Sequence, residues 1–319
     1  MNIISFIKNW TLPISMLAGV AGYLVFAHTP FLFPLKPALL STIVFLQPLL
    51  IFAMLFITFC KVNPHDLKPR LWHLWLLLIQ VVAFCLIALA VHCFPHLPGK
   101  VVAEGAMLCM ICPTATAAAV ITGKLGGNAS SLTTYTIFIN LATAIVVPLV
   151  VPVIHPHPGQ DFLSSFSLIV SKVFPLLFGP FLAALLVRRF LPWFHRRILS
   201  CKDLAFYLWA VSLAIAISIT ARSIAHSTVD FTSQTGIAAA SLLCCILQFA
   251  LGRSIGKCYG DSITAGQSLG QKNTVLIIWM GYTFFTPVTS IAGGFYSVWH
   301  NVYNSYQLYR KRRQTSVSS

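Results

Sequence analysis

The fold is decided by residues 266–273, which read Gly-Gln-Ser-Leu-Gly-Gln-Lys-Asn within an otherwise apolar stretch. A cation at bilayer depth costs about 2.5 to 3.5 kcal/mol on insertion scales, so Lys272 is expected to face protein or a wet cavity. The glycines and amides around it predict an interrupted helix. In membrane transporters such interruptions lie at a binding site near the midplane, because unwound backbone is tolerated there only where it lines a cavity.

The composition is that of a membrane protein. Hydrophobic residues make up 57% of the 319 residues, charged residues 8%, and the mean hydropathy is +0.83. A soluble domain has about 25% charged residues. The net charge of +15 does not indicate a nucleic-acid partner, because the basic residues fall in short loops between apolar runs. The nine cysteines show no repeated C-x-x-C pair and no histidine spacing for a metal, so no metal site is predicted.

Hydropathy predicts ten membrane spans, at residues 10–27, 36–59, 71–93, 102–122, 128–153, 162–187, 203–222, 234–256, 262–282 and 286–308. With the amino terminus in the cytoplasm, 16 of the 21 Lys and Arg residues lie inside. Only Lys36, Lys100 and Arg222 lie outside, and Lys172 and Lys272 fall within spans. This skew predicts that both termini are cytoplasmic.

Two of the predicted spans are broken, and they occupy equivalent places in the chain. The fourth contains Cys-Pro-Thr-Ala-Thr at residues 112–116, where the proline removes a backbone donor and the threonines can satisfy freed carbonyls. The ninth contains residues 266–273. The offset of five spans predicts two inverted five-helix repeats, residues 1–155 and 156–309, whose discontinuous fourth and ninth helices cross near the midplane. Residues 310–319 form a basic cytoplasmic tail.

Several motifs are similar to those of one known family. The chain carries Phe-Phe-Thr-Pro at residues 284–287 and Phe-Tyr-Ser-Val-Trp-His-Asn at residues 295–301. With the break at residues 112–117 and Gly-Asn at 127–128, these motifs resemble the bile acid:sodium symporter family. Residues 269–273 lie where that family has Glu-Val-Gly-Met-Gln-Asn. The resemblance extends over nearly the whole chain, and it implies an all-α, ten-span fold with a core domain and a panel domain that moves organic anions by alternating access.

The departures from the family pattern concern its two sodium sites. Ala118 and Ala119 stand where sodium-coupled members have Ser-Asn, so two side-chain oxygens are missing. The family's glutamate, which serves both sites, aligns with Ser268, and its following glutamine aligns with Lys272. Sodium needs several oxygen ligands, preferably anionic ones, and an ammonium repels it. The resemblance therefore implies that both sodium sites are dismantled, and neither sodium nor a cofactor is expected.

Other positions complete the candidate site. Gln80 matches the family's third-span glutamine, and Thr136 keeps a hydroxyl near Leu132, which replaces a family serine. The crossover and substrate candidates are Pro113, Thr114, Thr116, Ala118, Ala119, Thr136 and Asn273, and the sodium-site equivalents are Gln80, Ser268, Gln271 and Lys272. The candidate cavity residues are Lys172, Thr133 and Asn301. Lys172 either faces the cavity, where it would attract an anion, or lies near the external interface.

The acidic residues predict a core that is cationic or neutral. All six map to loops or span ends, which leaves no carboxylate at depth: Asp66, Glu104, Asp161, Asp203, Asp230 and Asp261. We therefore predict that the ammonium of Lys272 substitutes for sodium and is hydrogen-bonded to Gln80 and Ser268. The other polar residues within spans are predicted to make helix–helix hydrogen bonds, among them Gln47, Asn140, Thr143 and Gln248.

The sequence favours a secondary carrier of the inner (plasma) membrane that moves a small organic anion, a carboxylate or sulfonate, without sodium. The amino-terminal dipoles at the two breaks, with Lys272, would supply the positive field. Alternatives are a sodium- or proton-coupled symporter, an arsenite-type efflux carrier that uses Cys112, and a non-transporting receptor on the same fold. No enzyme is indicated, because no acid-base pair or nucleophile constellation appears within the spans.

Overall fold

The protein is built of helices. The computed structural model describes residues 3–96, 98–156, 159, 161–201, 204–227 and 229–317, and no β-strand occurs among them. Asp203 lies outside the described residues. The helices are α1 (Ile3–His28), α2 (Lys36–Cys60), α3 (Leu71–Cys93), α4 (Lys100–Ile111), α5 (Ala118–Leu125), α6 (Ala129–Ile154), α7 (Phe162–Leu177), α8 (Gly179–Phe190), α9 (Pro192–Ser200), α10 (Leu204–Ala225), α11 (Phe231–Cys258), α12 (Ser262–Gly270), α13 (Thr274–Phe284) and α14 (Ile291–Val317).

Each of the ten predicted segments falls on one helix or on a pair of helices. The fourth segment is divided into α4 and α5, and the ninth into α12 and α13, so both predicted interruptions are present. The sixth segment, expected to be a single helix, is also divided: α7 and α8 meet at an angle of 43°. Pro180 lies in the first turn of α8, where a backbone N–H has no acceptor within the helix, so a proline is tolerated there. At the carboxyl end, residues 310–317 of the predicted tail continue α14.

Five helices are long and apolar enough to cross a membrane, by length and composition alone: Pro37–Cys60, Leu71–Cys93, Ala129–Ile154, Tyr207–Ala225 and Phe231–Cys258. The bent pair α7 and α8 makes a sixth if it counts as one span. α3 illustrates their surface, because Leu74, Leu78, Val82 and Leu86 expose an apolar face along its length. Such a face requires an apolar solvent, so the chain is a multi-pass membrane protein. The ten-span topology stays a prediction.

The two broken helices are held by close packing against α11 and its neighbours. α11 packs along α12 and also against α4 and α14. The approach to α12 is close because α11 presents glycines there. A Cβ atom on Gly252 would lie 2.6 Å from the Ala265 carbonyl oxygen and 3.0 Å from the Cα of Gly266. Both are backbone atoms, so a side chain at this position would separate the helices.

We expect Gly252→Ala to destabilise the protein by about 1 to 3 kcal/mol, because the added methyl overpacks a backbone-to-backbone contact. Gly22→Ala is the matched control, since Gly22 lies within α1 and a Cβ there meets nothing within 4 Å. The control should be neutral or stabilising by up to about 1 kcal/mol through helix propensity. The measurement is the melting temperature of each purified variant in detergent. Equal melting temperatures for the two variants would contradict the packing argument.

Candidate functional site

The two helix breaks meet each other. Thr114 and Lys272 form an isolated antiparallel bridge. The amide of Ala115 donates to the Gln271 carbonyl at 2.8 Å, and the amide of Asn273 donates to the Pro113 carbonyl at 2.9 Å. The expected approach of the breaks is thus confirmed as a contact between backbones. Their depth in the bilayer stays a prediction.

Side chains reinforce this bridge from both breaks. The Thr114 hydroxyl donates to the Ser268 carbonyl at 2.7 Å, and the Cys112 thiol donates to the Asn273 carbonyl at 3.1 Å. Asn273 is also the N-cap of α13, where its side chain accepts from the amide of Leu276 at 3.4 Å. The predicted crossover residues therefore hold one another through main-chain carbonyls beside the breaks, and the Asn273 carbonyl also accepts from the amides of Leu276 and Ile277 in α13.

The free carbonyls at the end of α4 are bound by side chains from three other helices. Gln80 on α3 donates its amide to the carbonyls of Met110, at 2.7 Å, and Cys112, at 3.2 Å. Thr143 on α6 donates to the Ile111 carbonyl at 3.0 Å. Gln248 on α11 donates to the Cys109 carbonyl at 3.3 Å. Together they act as an external cap for a helix that ends inside the protein.

Thr143 and Gln248 make helix–helix hydrogen bonds, as predicted, and both bind carbonyls at the end of α4. Their part in capping α4 was not predicted. Two buried tyrosines were also missed. The Tyr135 hydroxyl donates to the Gln80 side-chain oxygen, which fixes that amide, and the Tyr296 hydroxyl donates to the Gly270 carbonyl at 2.8 Å. In the sequence, each tyrosine is visible only as a polar group on an apolar helix, and this pattern does not identify the group to which its hydroxyl donates.

Lys272 is completely buried. Its Nζ donates to the Met110 carbonyl at 3.5 Å. The predicted hydrogen bonds from Lys272 to Gln80 and Ser268 are wrong. The nearest acceptor is a backbone carbonyl at the end of α4, which the Gln80 amide also binds. The lysine and the glutamine are therefore connected through Met110.

The side-chain oxygens at the second break are neutral. The Ser268 hydroxyl and the side-chain oxygens of Gln267 and Gln271 are buried without a hydrogen-bond partner in the described part of the chain. Ala118 and Ala119 contribute no side-chain oxygen, and Ala118 instead packs in a small apolar cluster. Sodium prefers several converging oxygens, some of them anionic, and none of these side chains is a carboxylate.

The other predicted residues lie farther from the bridge or are bound within their own helices. Thr133 and Thr136 donate to carbonyls one turn back in α6, at 2.9 Å and 3.0 Å. Asn301 donates to the Ser297 carbonyl in α14 at 2.7 Å. Thr116 is half-buried in the segment between α4 and α5, and Lys172 is exposed on α7.

One acidic residue is buried by protein. Glu104 lies near a helix end, in the second turn of α4, as the prediction of a span end implies, and it is 1% exposed. His155 donates to one carboxylate oxygen at 2.8 Å, and Thr289 donates to the other at 3.2 Å. The depth of this carboxylate in the bilayer stays a prediction. The carboxylate is covered by the end of α6 and by the connection between α13 and α14.

A comparison with known families identifies the family of the chain. A family profile described as the sodium bile acid symporter family matches residues 48–227, more than half of the chain. The chain belongs to this family. Membership makes it a secondary transporter rather than an enzyme.

Among curated proteins, one relative comes from Bacillus subtilis (strain 168) and is named the uncharacterized sodium-dependent transporter YocS. It is 24% identical to this chain over 254 residues, which cover 75% of this chain and 74% of the relative. The aligned region extends well beyond a single helix pair, so the likeness concerns most of both proteins.

We expect Gln80→Leu to lower stability by about 2 kcal/mol or more, because it removes the side-chain donor of the buried Cys112 carbonyl and leaves the Met110 carbonyl only the longer contact to Lys272, at 3.5 Å. Gln47→Leu is the matched control: Gln47 is also buried on a helix, and its side-chain nitrogen has no partner within the described residues. This control should be neutral or slightly stabilising. Melting temperatures in detergent provide the comparison. Equal losses in the two variants would show that Gln80 does not cap α4.

Proposed function

We propose that this family member is a secondary carrier of a small organic anion, a carboxylate or sulfonate, that works by alternating access without sodium. The observation that carries the proposal is the position of Lys272, completely buried on the bridge between the two breaks. A fixed cation there removes the need for a bound one and repels Na⁺ electrostatically. The absence of side-chain oxygens at Ala118 and Ala119 also supports transport without sodium.

The proposed carrier has ten spans in two inverted five-helix repeats, residues 1–155 and 156–309, arranged as a core domain and a panel domain. The paired interruptions after Ile111 and after Gly270 support this symmetry. We place the protein in the inner (plasma) membrane with both termini in the cytoplasm, as the distribution of Lys and Arg predicts.

An anion is the substrate class that the charges around the crossing favour. α5 and α13 begin beside the bridge and α4 and α12 end beside it, so the two helix amino termini are opposed by two carboxyl termini and the net positive charge is that of Lys272. Among the described residues Lys272 has one hydrogen-bond acceptor, at 3.5 Å, and its protonated amine keeps hydrogens for a further partner. Since Lys272 is buried, an anion reaches it only when the protein opens, as alternating access requires. Lipid and the organic anion are the proposed partners.

Sodium-coupled transport of the same anions is the second candidate. It is favoured by the name of YocS, a sodium-dependent transporter, and by the unpartnered oxygens of Ser268 and Gln271. The two candidates differ in one measurable respect, which is the effect of Na⁺ on anion binding.

We expect the replacement of Na⁺ by K⁺ or choline to leave anion affinity essentially unchanged, because the site lacks the converging oxygens that a sodium ion needs. The measurement is the shift in melting temperature with acetate, benzoate and taurocholate, each in the three salts. An anion that stabilises the protein equally in all three supports the proposal. Stabilisation that requires Na⁺ would establish the second candidate instead, and no stabilisation by any anion would argue against both.

Lys272→Met should abolish uptake into proteoliposomes of whichever anion stabilises the protein. Methionine keeps much of the side-chain length but removes the charge. Lys257→Met is the matched control, since Lys257 is exposed near the end of α11, and it should transport normally. Monodisperse elution of both variants checks folding. Undiminished uptake by Lys272→Met would show that transport does not need this lysine.

Lys272→Gln alone should not make transport depend on sodium, because a neutral amide does not replace a carboxylate as a sodium ligand.

A further inference from the structure

A short helix, α9, follows the sixth predicted span and is too short to cross a bilayer. Its nine residues, Pro192–Ser200, make it about 14 Å long, which is less than half of the roughly 30 Å hydrocarbon core. It packs against α8, which directly precedes it in the chain, and against α2. α9 is therefore an attachment to the ends of two longer helices.

One face of α9 is fixed to the protein. The imidazole of His195 donates to the Cys60 carbonyl at 2.9 Å, and this carbonyl belongs to the last turn of α2, where the helix itself supplies no donor. Ile198, three residues further along α9, is also buried. These two contacts place α9 at the end of α2 and decide which of its faces is turned outward.

The outward face of α9 carries a tryptophan beside two arginines. Arg196 and Arg197 follow Trp193 by three and four residues, which makes both of them its neighbours on the helix surface. Both arginines are exposed, and Trp193 is 64% exposed. The Trp193 ring lies 5.8 Å from that of Phe194, and Phe190, just before α9, is 71% exposed. Exposed aromatic rings that lie together mark a contact with a membrane or with another molecule.

The arginines beside these rings are not neutralised by the described part of the protein. The sequence has no Asp or Glu between Asp161 and Asp203, and neither Arg196 nor Arg197 forms a salt bridge with a described residue. Arg196 donates to the Pro192 carbonyl of α9 itself, at 3.4 Å. Two such guanidinium groups side by side create a local positive potential, which attracts anions.

We propose that the α9 surface, formed by Phe190, Trp193, Phe194, Arg196 and Arg197, binds anionic phospholipid where the membrane meets water. Tryptophan is enriched at this interface because its ring is apolar and its indole N–H is polar. A guanidinium group binds a phosphate through two parallel hydrogen bonds. A positive charge that only orients the chain in the membrane needs no aromatic neighbour, so the exposed rings distinguish a lipid-binding surface from a topology signal.

Lipid bound to the α9 surface anchors two spans at once. α8 leads directly into α9, and His195 ties α9 to the end of α2. The bridge between the two breaks lies between other helices. The lipid therefore fixes the ends of α2 and α8 at the membrane surface. The assignment of that surface to the cytoplasmic leaflet rests on the topology in the proposed function.

The test is the lipid-dependent thermal stability of the purified protein in a neutral detergent with KCl. Phosphatidylglycerol should raise the melting temperature of the wild type more than the same amount of phosphatidylcholine does. Arg196→Gln/Arg197→Gln should need about 30-fold more phosphatidylglycerol for half of the full shift, because it removes two cations from an anionic surface. Raising KCl from about 50 mM to about 500 mM should reduce the wild-type shift, because salt screens exposed charges.

Three controls identify the ligand. Lys124→Gln/Lys257→Gln removes the same number of charges from exposed positions near the ends of α5 and α11, and it should keep the wild-type response. Trp193→Ala keeps both arginines and should still weaken the response to phosphatidylglycerol, because the ring at the interface is lost. Glycerol 3-phosphate offers a phosphate without acyl chains and should not stabilise the wild type.

The arginines and Trp193 are exposed, so these variants should fold, which monodisperse elution checks. An equal response to phosphatidylglycerol in the wild type and the arginine variant would overturn the proposal. So would an equal loss in the lysine variant, or an unchanged response in Trp193→Ala. Stabilisation by glycerol 3-phosphate would assign the arginines to a free anion instead of a lipid.

This measurement uses neither a transported anion nor sodium, so it separates the lipid surface from the proposed function. A protein that binds no organic anion but loses its response to phosphatidylglycerol in the arginine variant would retain the lipid surface and lose the anion carrier. The reverse outcome would leave the carrier and remove the lipid surface.

Discussion

The structure depends on one constraint: a helix that ends inside an apolar environment leaves carbonyl groups that must find donors. Each unpaired group costs several kcal/mol where water is absent, so an interrupted span survives only if other helices supply partners. α4 ends after Ile111, and its last carbonyls are bound by Gln80, Thr143 and Gln248. The positions of α3, α6 and α11 around the break follow from this requirement as much as from apolar packing.

The same requirement explains which features the sequence could predict. Pro113 and Gly270 act on their own backbone, so the two interruptions were visible in the local sequence. The partners were not. Gln80 and Gln248 lie 32 and 139 residues from the carbonyls they bind, and an amide in an apolar span looks the same whatever it contacts. Lys272 was assigned to side-chain acceptors for the same reason, whereas its acceptor is the backbone of Met110.

Glu104 shows a different limit of sequence reasoning. Its predicted place near the start of a span concerns depth in the bilayer and does not specify how far protein covers the side chain. Burial also depends on what covers the helix end. Here His155 and Thr289, which are distant in sequence, close over the carboxylate. The acid is thus enclosed by protein although it lies only one turn from the start of α4.

The bridge at Thr114 and Lys272 is made of main-chain atoms alone, since its two hydrogen bonds run between residues 115 and 271 and between residues 273 and 113. These two bonds do not use the side chains at positions 114 and 272, although the Thr114 hydroxyl and the Lys272 ammonium each add a contact to a carbonyl of the other break. The scaffold and the charge that it displays are therefore specified largely by different atoms. A substitution at position 272 changes the charge at the crossing and keeps the two main-chain hydrogen bonds that join the breaks.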